Sequence, residues 1–423
     1  MELFTKQITT GDLFSVYGTV GYLDYTIRRR LRMSAPVDGA ALRRAVQTTA
    51  ERYPYFSVRL RSGGQGFFYE KNDAPIAVLH TAGRIRLAAE ESNHHVWAVC
   101  YDADEIFIDF FHGLADGIGV SALTVTLLYY YCLERYGEDI DPRGIRRLED
   151  PIDPTEYADP MDALPEIAPP EQRAAAPQVF DLIRDAGMTP CETVAYDIIV
   201  PEAPFLRFTS ASDASPGTMV SLLCAKAIDE CFPGREKPIL GHYAMNARPA
   251  IQAPNGHHNC LATIDLPYSE RIKALPFQTQ CTAYRGMTFL QSDADRVRPV
   301  LTATAAMLRE TARIPDVGER REIFHRFLTA ACTSYSYVVS YTGQWRHPAL
   351  AKYIREFWTH APGALPFVIE IKSISGNLFL SVLQSFREDR CLNALLRQLE
   401  RNGIPYTLAK TAKNDIAAFP MPD

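Results

Sequence analysis

The stretch FFHGLADGIG, residues 110–119, lies between a short apolar run and a long one, and it brings a histidine, an aspartate and glycines close together. Two interpretations compete for it. Either this is a polar turn that happens to contain a histidine, or His112 is held in place to move a proton. An imidazole can take a proton from an alcohol or an amine near neutral pH, provided that the surrounding backbone fixes the ring.

The flanking sequence makes this stretch a connection between a strand and a helix. Residues 106–111 predict a strand that returns from a turn at 102–105, and the apolar run at 119–137 predicts a helix buried on nearly every side. At this junction Asp116 is suited either to cap the helix or to form a buried ion pair. Gly117 and its neighbouring small residues keep the turn tight.

The composition is that of an ordinary globular protein. The chain has 423 residues, long enough for two domains or lobes, and 44 Lys+Arg against 50 Asp+Glu give a net charge of -6. Such a charge supplies no general attraction to nucleic acid or to an anionic membrane. For the basic run RRRLR at residues 28–32, we expect an edge strand with arginines alternating with apolar residues rather than a phosphate-binding patch.

The cysteines and histidines give no sign of a metal site. Nine cysteines are widely spaced with no CxxC pair, which predicts buried free thiols. The histidine pairs at 94–95 and 257–258 have no carboxylate or cysteine partners at a suitable spacing, so we expect loops there. The chain also has no apolar run long enough to span a membrane and no apolar segment at its start, which favours a cytoplasmic protein.

Both halves of the chain mix helices with hairpins, which predicts an α+β fold. A segment rich in proline, alanine and acidic residues, from about 143 to 193, is the best linker candidate. We therefore expect an N-terminal lobe at 1–170, a linker at 171–193 and a C-terminal lobe at 194–423. Predicted helices include 38–53, 119–137, 217–232, 295–313, 319–328, 348–358 and 389–403, and predicted hairpins include 56–69, 96–111 and one turning at residues 376–377.

Two motifs, taken in order, resemble one known superfamily. The first is HxxxDG, formed by His112, Asp116 and Gly117, and the second is YAMNARPAIQAPNGHHNC at 243–260. They resemble the chloramphenicol acetyltransferase-like acyltransferases, which include alcohol acetyltransferases, plant acyl-CoA transferases, polyketide-associated acyltransferases and peptide condensation domains. The second motif is similar to that superfamily's N-x-R-P turn and Gly-Asn loop. Because residues 41–61 also resemble its early helix, turn and strand, the resemblance covers most of the chain.

The resemblance implies two similar lobes, each a mixed and mostly antiparallel sheet flanked by helices, with a tunnel between them. His112 then lies at the middle of the tunnel as the general base on the acceptor. Asp116 is implied to be structural and paired with an arginine, for which Arg248 is the candidate. Gly117 and Asn246 are implied to support the site in the same way.

The chain departs from the superfamily pattern at two places. Condensation domains usually carry a second histidine just before the catalytic one, and Phe111 occupies that position, which argues against peptide condensation. The nearest segment to the plant branch's D-F-G-W-G motif is SYTGQW at 340–345, which does not match. A tetrahedral intermediate needs a hydrogen-bond donor for its oxygen. Ser340 and Thr342 are candidates for that role or for substrate contact, or are plain strand hydroxyls.

The resemblance implies an acyltransferase that moves an acyl group from a thioester, acyl-CoA, to the hydroxyl or amine of a small acceptor. The expected partners are a small-molecule donor and acceptor, with no bound cofactor, metal, nucleic acid or membrane span. Two alternatives stay open. One is a freestanding condensation-type enzyme that uses a carrier-protein thioester to form an amide or ester, and the other is a non-catalytic binding module on the same scaffold.

Overall fold

The computed structural model describes residues 6–19, 26–169, 178–361 and 366–413. The N-terminal residues 1–5 and residues 171–177 of the predicted linker lie outside these ranges. The strands are β1 (Lys6–Gln7), β2 (Thr26–Met33), β3 (Val58–Gly63), β4 (Gly66–Lys71), β5 (Val78–His80), β6 (Trp97–Asp102), β7 (Glu105–Phe111), β8 (Pro190–Pro201), β9 (Ile239–Asn246), β10 (Leu261–Tyr268), β11 (Tyr337–Gln344), β12 (Ile354–His360), β13 (Phe367–Ile374), β14 (Asn377–Phe386) and β15 (Thr407–Lys413).

The helices flank these strands. They are α1 (Thr10–Gly18), α2 (Gly39–Arg52), α3 (Ser121–Tyr136), α4 (Glu202–Ala211), α5 (Pro216–Cys231), α6 (Glu270–Lys273), α7 (Phe277–Gln291), α8 (Ala294–Ala312), α9 (Val317–Cys332), α10 (Pro348–Ala351) and α11 (Arg390–Arg401). In the described part of the chain, no helix is long and apolar enough to cross a membrane.

Two large sheets define the architecture, and a small third sheet has the order β1-β4-β3. The five-stranded sheet has the order β12-β2-β7-β6-β5, and the seven-stranded sheet has the order β10-β9-β11-β13-β14-β8-β15. Both are mixed and mostly antiparallel, since among the described strands only β5 with β6, and β11 with β9 and β13, pair in parallel. This confirms the predicted α+β class with two mixed sheets flanked by helices.

The helices leave one face of the seven-stranded sheet open toward the other lobe. Helix α5 packs against β9, β10 and β11, and α11 packs against α5, so both cover the same face of that sheet. Tyr337 illustrates this, because it is buried on that face and its hydroxyl donates to the carbonyl of Ser221 in α5 at 2.8 Å. The next residue on β11 points the other way, as strand geometry requires.

The local signals around α2 and α3 predicted these elements correctly. Asp38 caps α2 by accepting hydrogen bonds from the amides of Ala40 and Ala41, as its position before the helix indicated. Helix α3 follows the HxxxDG stretch and is largely buried, and Gly137 ends it in the left-handed conformation with a φ of 63°. The hairpin of β6 and β7 turns between Asp102 and Glu105, where it was predicted.

The prediction of an edge strand for RRRLR is wrong. Strand β2 is an inner strand, because β12 pairs with it on one side and β7 on the other. Arg28, Arg29 and Arg30 are therefore buried. The Nη2 atom of Arg28 lies 2.7 Å from Asp109, so its burial is compensated by an ion pair rather than by solvent.

The predicted helix at 348–358 is also largely wrong. Only Pro348–Ala351 is helical, and Ile354–His360 is the strand β12, antiparallel to β2. Strand β12 therefore adds a segment from late in the chain to the five-stranded sheet. Strand β8 begins at Pro190, inside the predicted linker, and the lobe boundaries at 170 and 194 stay a prediction.

Smaller differences in the later half of the chain include an unpredicted helix and a shifted turn. Helix α7 was not predicted at all, although it runs through Phe277–Gln291. The last hairpin turns at Ser375 and Gly376, one position earlier than expected, because β13 ends at Ile374 and β14 begins at Asn377.

Candidate active site

A cavity of about 440 Å³ lies between the open face of the seven-stranded sheet and the other lobe. Its floor consists of alternate residues of four neighbouring strands, which share one face of the sheet. On that floor lie Leu261, Thr263, His242, Ala244, Asn246, Val338, Ser340, Thr342, Val368 and Glu370. Across the cavity lie residues that include Phe14, Ile27, His112, Gly117, Ile118, Leu328 and Thr359.

His112 follows directly after β7 and lines this cavity with a half-buried side chain. Its backbone carbonyl accepts a hydrogen bond from Nδ2 of Asn259 at 2.7 Å. The preceding residue, Phe111, is fully buried in the core. The strand end and the Asn259 amide thus fix the backbone from which the imidazole projects.

Asp116 lies behind His112 and makes both contacts that the sequence left open. Its Oδ1 atom accepts from the amides of Ile118 at 3.1 Å and Gly119 at 2.7 Å, which caps the turn before α3. The same oxygen accepts from Nη2 of Arg248 at 2.9 Å, in an ion pair whose two side chains are at most 1% exposed. Among the described residues that line the cavity, His112 is present and Asp116 is not.

Arg248 ties three chain segments together. Its Nε atom donates to the carbonyl of Gly256 at 2.8 Å, and its Nη2 atom donates to the carbonyl of His258 at 2.6 Å as well as to Asp116. Nη1 donates to Oδ1 of Asn246 at 3.1 Å, at the end of β9. The guanidinium therefore joins β9, the loop that follows it and the HxxxDG stretch, using donors that a fixed fork geometry provides.

The two loops approach each other so closely that Gly119 has no room for a side chain. A Cβ atom at this position would lie 1.9 Å from the carbonyl oxygen of His257. Because that obstacle is backbone, it cannot be relieved by moving a flexible side chain. The glycine is thus required for the contact between the HxxxDG stretch and the 256–260 loop.

The histidines at 257–258 lie in a loop, as expected, but this loop is buried and structural. Nδ1 of His258 is paired with Oδ2 of Asp12 in α1, and Nδ1 of His257 lies 2.8 Å from the carbonyl of Glu156. Asn259 donates to Oδ1 of Asp12 at 2.8 Å through the same Nδ2 atom that contacts His112. In the described part of the chain, no group of three or more candidate ligands is arranged to hold a metal ion.

Ser340 and Thr342 both lie on the cavity floor, on β11. Thr342 is opposite the HxxxDG stretch, since a Cβ atom on Gly117 would lie 3.6 Å from its Cγ2 atom. Its hydroxyl donates to the carbonyl of Ile371 at 3.4 Å. The structure thus brings His112, Gly117, Asn246, Ser340 and Thr342 around one cavity, while Asp116 and Arg248 lie behind its wall.

Two ionisable residues of the cavity floor, His242 and Glu370, were missed by sequence reasoning. Burial lowers the pKa of His242 to about 4, and its ring lies edge to face with Tyr335, with the centroids 4.7 Å apart. Burial raises the pKa of Glu370 to about 7, against the opposing effects of a hydrogen bond from Ser340 and the charge of Arg29. The signal for Glu370 is present in FVIEIKSI, where charges at 370 and 372 interrupt an apolar strand.

Arg29 is a third residue missed at the site, because it was predicted on an exposed edge. Burial lowers its pKa to about 10, which nearby Asp116 and Glu370 oppose. Its Nη2 atom donates to the carbonyl of Gly117, and its Nη1 atom donates to the hydroxyl of Thr124 at 2.7 Å. The guanidinium thus supports the HxxxDG turn from behind and places a positive charge near the cavity floor.

Comparisons with known proteins agree with this architecture. No protein-family model matches the chain, and no curated protein matches it. Among solved structures, TRI101 of F. graminearum in complex with coenzyme A and T-2 mycotoxin is 12% identical, with a TM-score of 0.65 over 95% of this chain and 99% of that one.

Two further structures match over most of their length. Polyketide synthase associated protein 5 from Mycobacterium tuberculosis is 12% identical, with a TM-score of 0.60 over 93% of this chain and 96% of that one. The condensation domain from the Monacolin K polyketide synthase MokA is 10% identical, with a TM-score of 0.58 over 95% of this chain and 97% of that one. At these identities the likeness shows the fold alone, which is a two-lobed fold like that of TRI101 and of the condensation domain.

Proposed function

We propose that this protein is an acyltransferase that moves an acyl group from acyl-CoA to the hydroxyl or amine of a small acceptor, with His112 as general base. One observation carries the proposal. The side chain of His112 lines the cavity between the two sheets, while its carbonyl is held by Asn259 and its loop by the Asp116–Arg248 ion pair. A base that is fixed at a cavity wall is suited to proton transfer from a bound acceptor.

The reaction proceeds by direct attack. His112 accepts the proton of the acceptor O–H or N–H as the acceptor oxygen or nitrogen bonds to the thioester carbonyl carbon. The C–S bond then breaks, and the departing thiolate takes the proton from the imidazolium and leaves as a free thiol. Ser340 and Thr342, whose residues line the same cavity, are the candidates for contacting the carbonyl oxygen or the substrate.

Asp116 and Arg248 act as positioning residues in this mechanism. All the contacts of the Asp116 carboxylate described above are to protein groups, and Cys260 adds its amide at 3.1 Å. The carboxylate is therefore fully used in holding the turn and the 256–260 loop. The imidazole of His112, and not the carboxylate of Asp116, is therefore the ionisable group of the HxxxDG stretch that faces the cavity.

Two observations favour CoA over a carrier protein as the donor. Phe111 occupies the position of the second histidine that condensation domains usually carry, and it is fully buried in the core. The fold match that includes coenzyme A is with TRI101. A freestanding enzyme using a carrier-protein thioester is the second candidate, and the presence of condensation domains among the fold matches is what favours it.

The test is thiol release from purified protein. Acyl-CoAs of short, medium and long chain, and the same acyl groups on a carrier protein, are each incubated with a panel of alcohols and amines, and free thiol and acylated product are measured. We expect transfer from acyl-CoA that is abolished in His112→Ala. The matched control is His80→Ala, which removes an exposed imidazole whose side chain is 66% exposed.

The assay distinguishes three alternatives to the proposed reaction. Transfer by His112→Ala at the wild-type rate, with His80→Ala also unchanged, would overturn the role of His112. Release from the carrier protein alone would favour the condensation-type enzyme. If no thioester is consumed with any acceptor, the protein is a binding module on this scaffold.

A further inference from the structure

One row of residues crosses the seven-stranded sheet on the face toward the other lobe. Residues that are paired in register on neighbouring strands project from the same face of a sheet. In register from β10 to β8, this row consists of Thr263, Ala244, Ser340, Glu370, Ser381 and Asp197. The row therefore places two carboxylic acids, Glu370 and Asp197, on one face with Ser381 between them.

The two acids have very different surroundings. Asp197 is fully buried and is contacted by two side chains of the five-stranded sheet: the Arg30 guanidinium, whose Nη2 atom lies 2.6 Å away, and the His360 imidazole, whose Nε2 atom lies 3.0 Å away. These partners lower its pKa despite burial. For Glu370, no ion pair within 4.0 Å occurs with the described residues.

Glu370 faces the cavity. It is 8% exposed, and that exposure is toward the cavity that it lines together with Val368 of the same strand. Its in-register neighbours are Ser340 and Ser381, and the apolar Val338 and Ala244 also line the floor. An ionised carboxylate in such a place lacks the direct ion-pair partner that buried carboxylates normally have among the described residues.

The positive charges near Glu370 are engaged elsewhere or absent near neutral pH. Arg29 acts on Glu370 through its charge, but its Nη atoms donate to Gly117 and to the hydroxyls of Ser121 and Thr124. His242 is neutral near pH 7 because burial lowers its pKa to about 4. Lys372, two residues along β13, has its Nζ atom 3.4 Å from the carbonyl of Thr342.

We propose that Glu370 is a specificity-determining residue that pairs with a protonated nitrogen of the acceptor. A ligand cation supplies in the cavity the countercharge that the Arg30 guanidinium supplies to Asp197. This inference rests on the proposed function, which places the acceptor in this cavity.

The protonation state of this nitrogen restricts the class of acceptor further. A nitrogen that is held in its protonated form has no lone pair and cannot attack a thioester. The group that His112 deprotonates must therefore be a second hydroxyl or amine of the same molecule. The acceptor is accordingly an amino alcohol or a diamine whose two polar groups are separated by an apolar segment, which the mostly apolar surface of the cavity accommodates.

The test measures binding without any thioester. Titration calorimetry compares aminohexanol, with terminal amino and hydroxyl groups, and hexanediol, which is similar in length but has no cation. Removing one partner from a charge-assisted pair costs about 1.5–3 kcal/mol, so we expect a roughly ten- to hundredfold preference of the wild type for aminohexanol. In Glu370→Gln this preference should disappear, while hexanediol binding changes little.

The control variant is Glu236→Gln, which removes the same charge at an exposed position and should keep the preference. A wild type that binds both compounds equally would overturn the proposal, even if Glu370→Gln failed to fold. A preference that survives in folded Glu370→Gln would overturn it as well.

These outcomes are separate from the test of the proposed function. An amine preference that depends on Glu370, without acyl transfer to any acceptor, would refute the acyltransferase and leave the cation site. Acyl transfer to hexanediol that is as efficient as transfer to aminohexanol would refute the cation site at Glu370 and support the acyltransferase.

Discussion

The carbonyl of His112 and the side-chain amide of Asn259 are joined by a hydrogen bond of 2.7 Å, and the same amide nitrogen donates to Asp12 at 2.8 Å. Asp12 belongs to α1, near the start of the chain, and Asn259 follows β9. Three segments that are distant in sequence thus meet at the backbone of the proposed base. The orientation of His112 depends on all three.

Replacing Asn259 by alanine tests this support. We expect kcat to fall roughly ten- to a hundredfold with little change in the KM for acyl-CoA, because a displaced base slows proton transfer without removing substrate contacts. Steady-state kinetics with a responsive acceptor measures both constants. Asn255→Ala, which removes an amide from the same loop that contacts Thr155 instead, should leave kcat unchanged. Equal losses in the two variants would contradict a specific role for Asn259.

The Asp116–Arg248 ion pair predicts a large loss of stability on truncation. Arg248→Ala leaves the buried carboxylate of Asp116 without its cation, so we expect the free energy of unfolding to fall by about 3–5 kcal/mol. Urea denaturation followed by circular dichroism measures it. The control is Arg285→Ala. Arg285 forms an exposed ion pair with Asp213, in which the two side chains are 60% and 42% exposed, so its loss should cost about 0–1 kcal/mol. A loss of the same size in both variants would refute the structural role of Arg248.

Much of the fold could be predicted because its signals are local. The cap at Asp38, the turn between β6 and β7 and the buried character of α3 all depend on residues close together in sequence. Strand β12 could not be predicted in this way. Its pairing partner β2 lies more than three hundred residues earlier, as in the pair of Trp358 with Arg30, and this long-range pairing overrides a locally helical spacing.

The residues of the candidate site also differ in whether the sequence could predict them. His112, Asp116 and Arg248 belong to motifs that can be recognised in sequence, and the structure places them together. Asp12 and Glu370 belong to no motif, since one contacts the site through tertiary packing and the other through sheet register. Only the unusual charge of Glu370 in an apolar strand hinted at its position.

Gly119 tests how closely the two loops must approach. Gly119→Ala places a methyl group against the carbonyl of His257, so one loop must move, and we expect both a lower free energy of unfolding and reduced kcat. The control is Gly286→Ala within α7, where an added Cβ meets no atom within 4 Å. That change should be neutral or stabilising by about 0.5–1 kcal/mol, because alanine favours helix. Thermal and urea denaturation of both variants checks the difference.

Glu370 predicts a stability that depends on pH in a defined direction. Its carboxyl has a pKa near the ordinary value of 4.5 when unfolded and of about 7 when folded, so the folded state binds more protons between these values. The free energy of unfolding therefore decreases as pH rises from 4.5 toward 7, because the carboxyl loses its proton more readily in the unfolded state. Glutamine does not titrate, so Glu370→Gln removes this loss.

The expected result is a difference between wild type and Glu370→Gln that grows with pH. At about pH 5 the two proteins should have similar unfolding free energies, and at about pH 8 the variant should be more stable by roughly 2–3 kcal/mol. Urea denaturation at both pH values measures the difference, with Glu236→Gln as the control that tracks the wild type. A saturating amine ligand should reduce the gap, because a bound cation stabilises the ionised carboxylate of the wild type and has no such partner in the variant. A gap that is independent of pH would show that the Glu370 carboxyl has the same pKa in the folded and the unfolded protein, contrary to the rise that its burial causes.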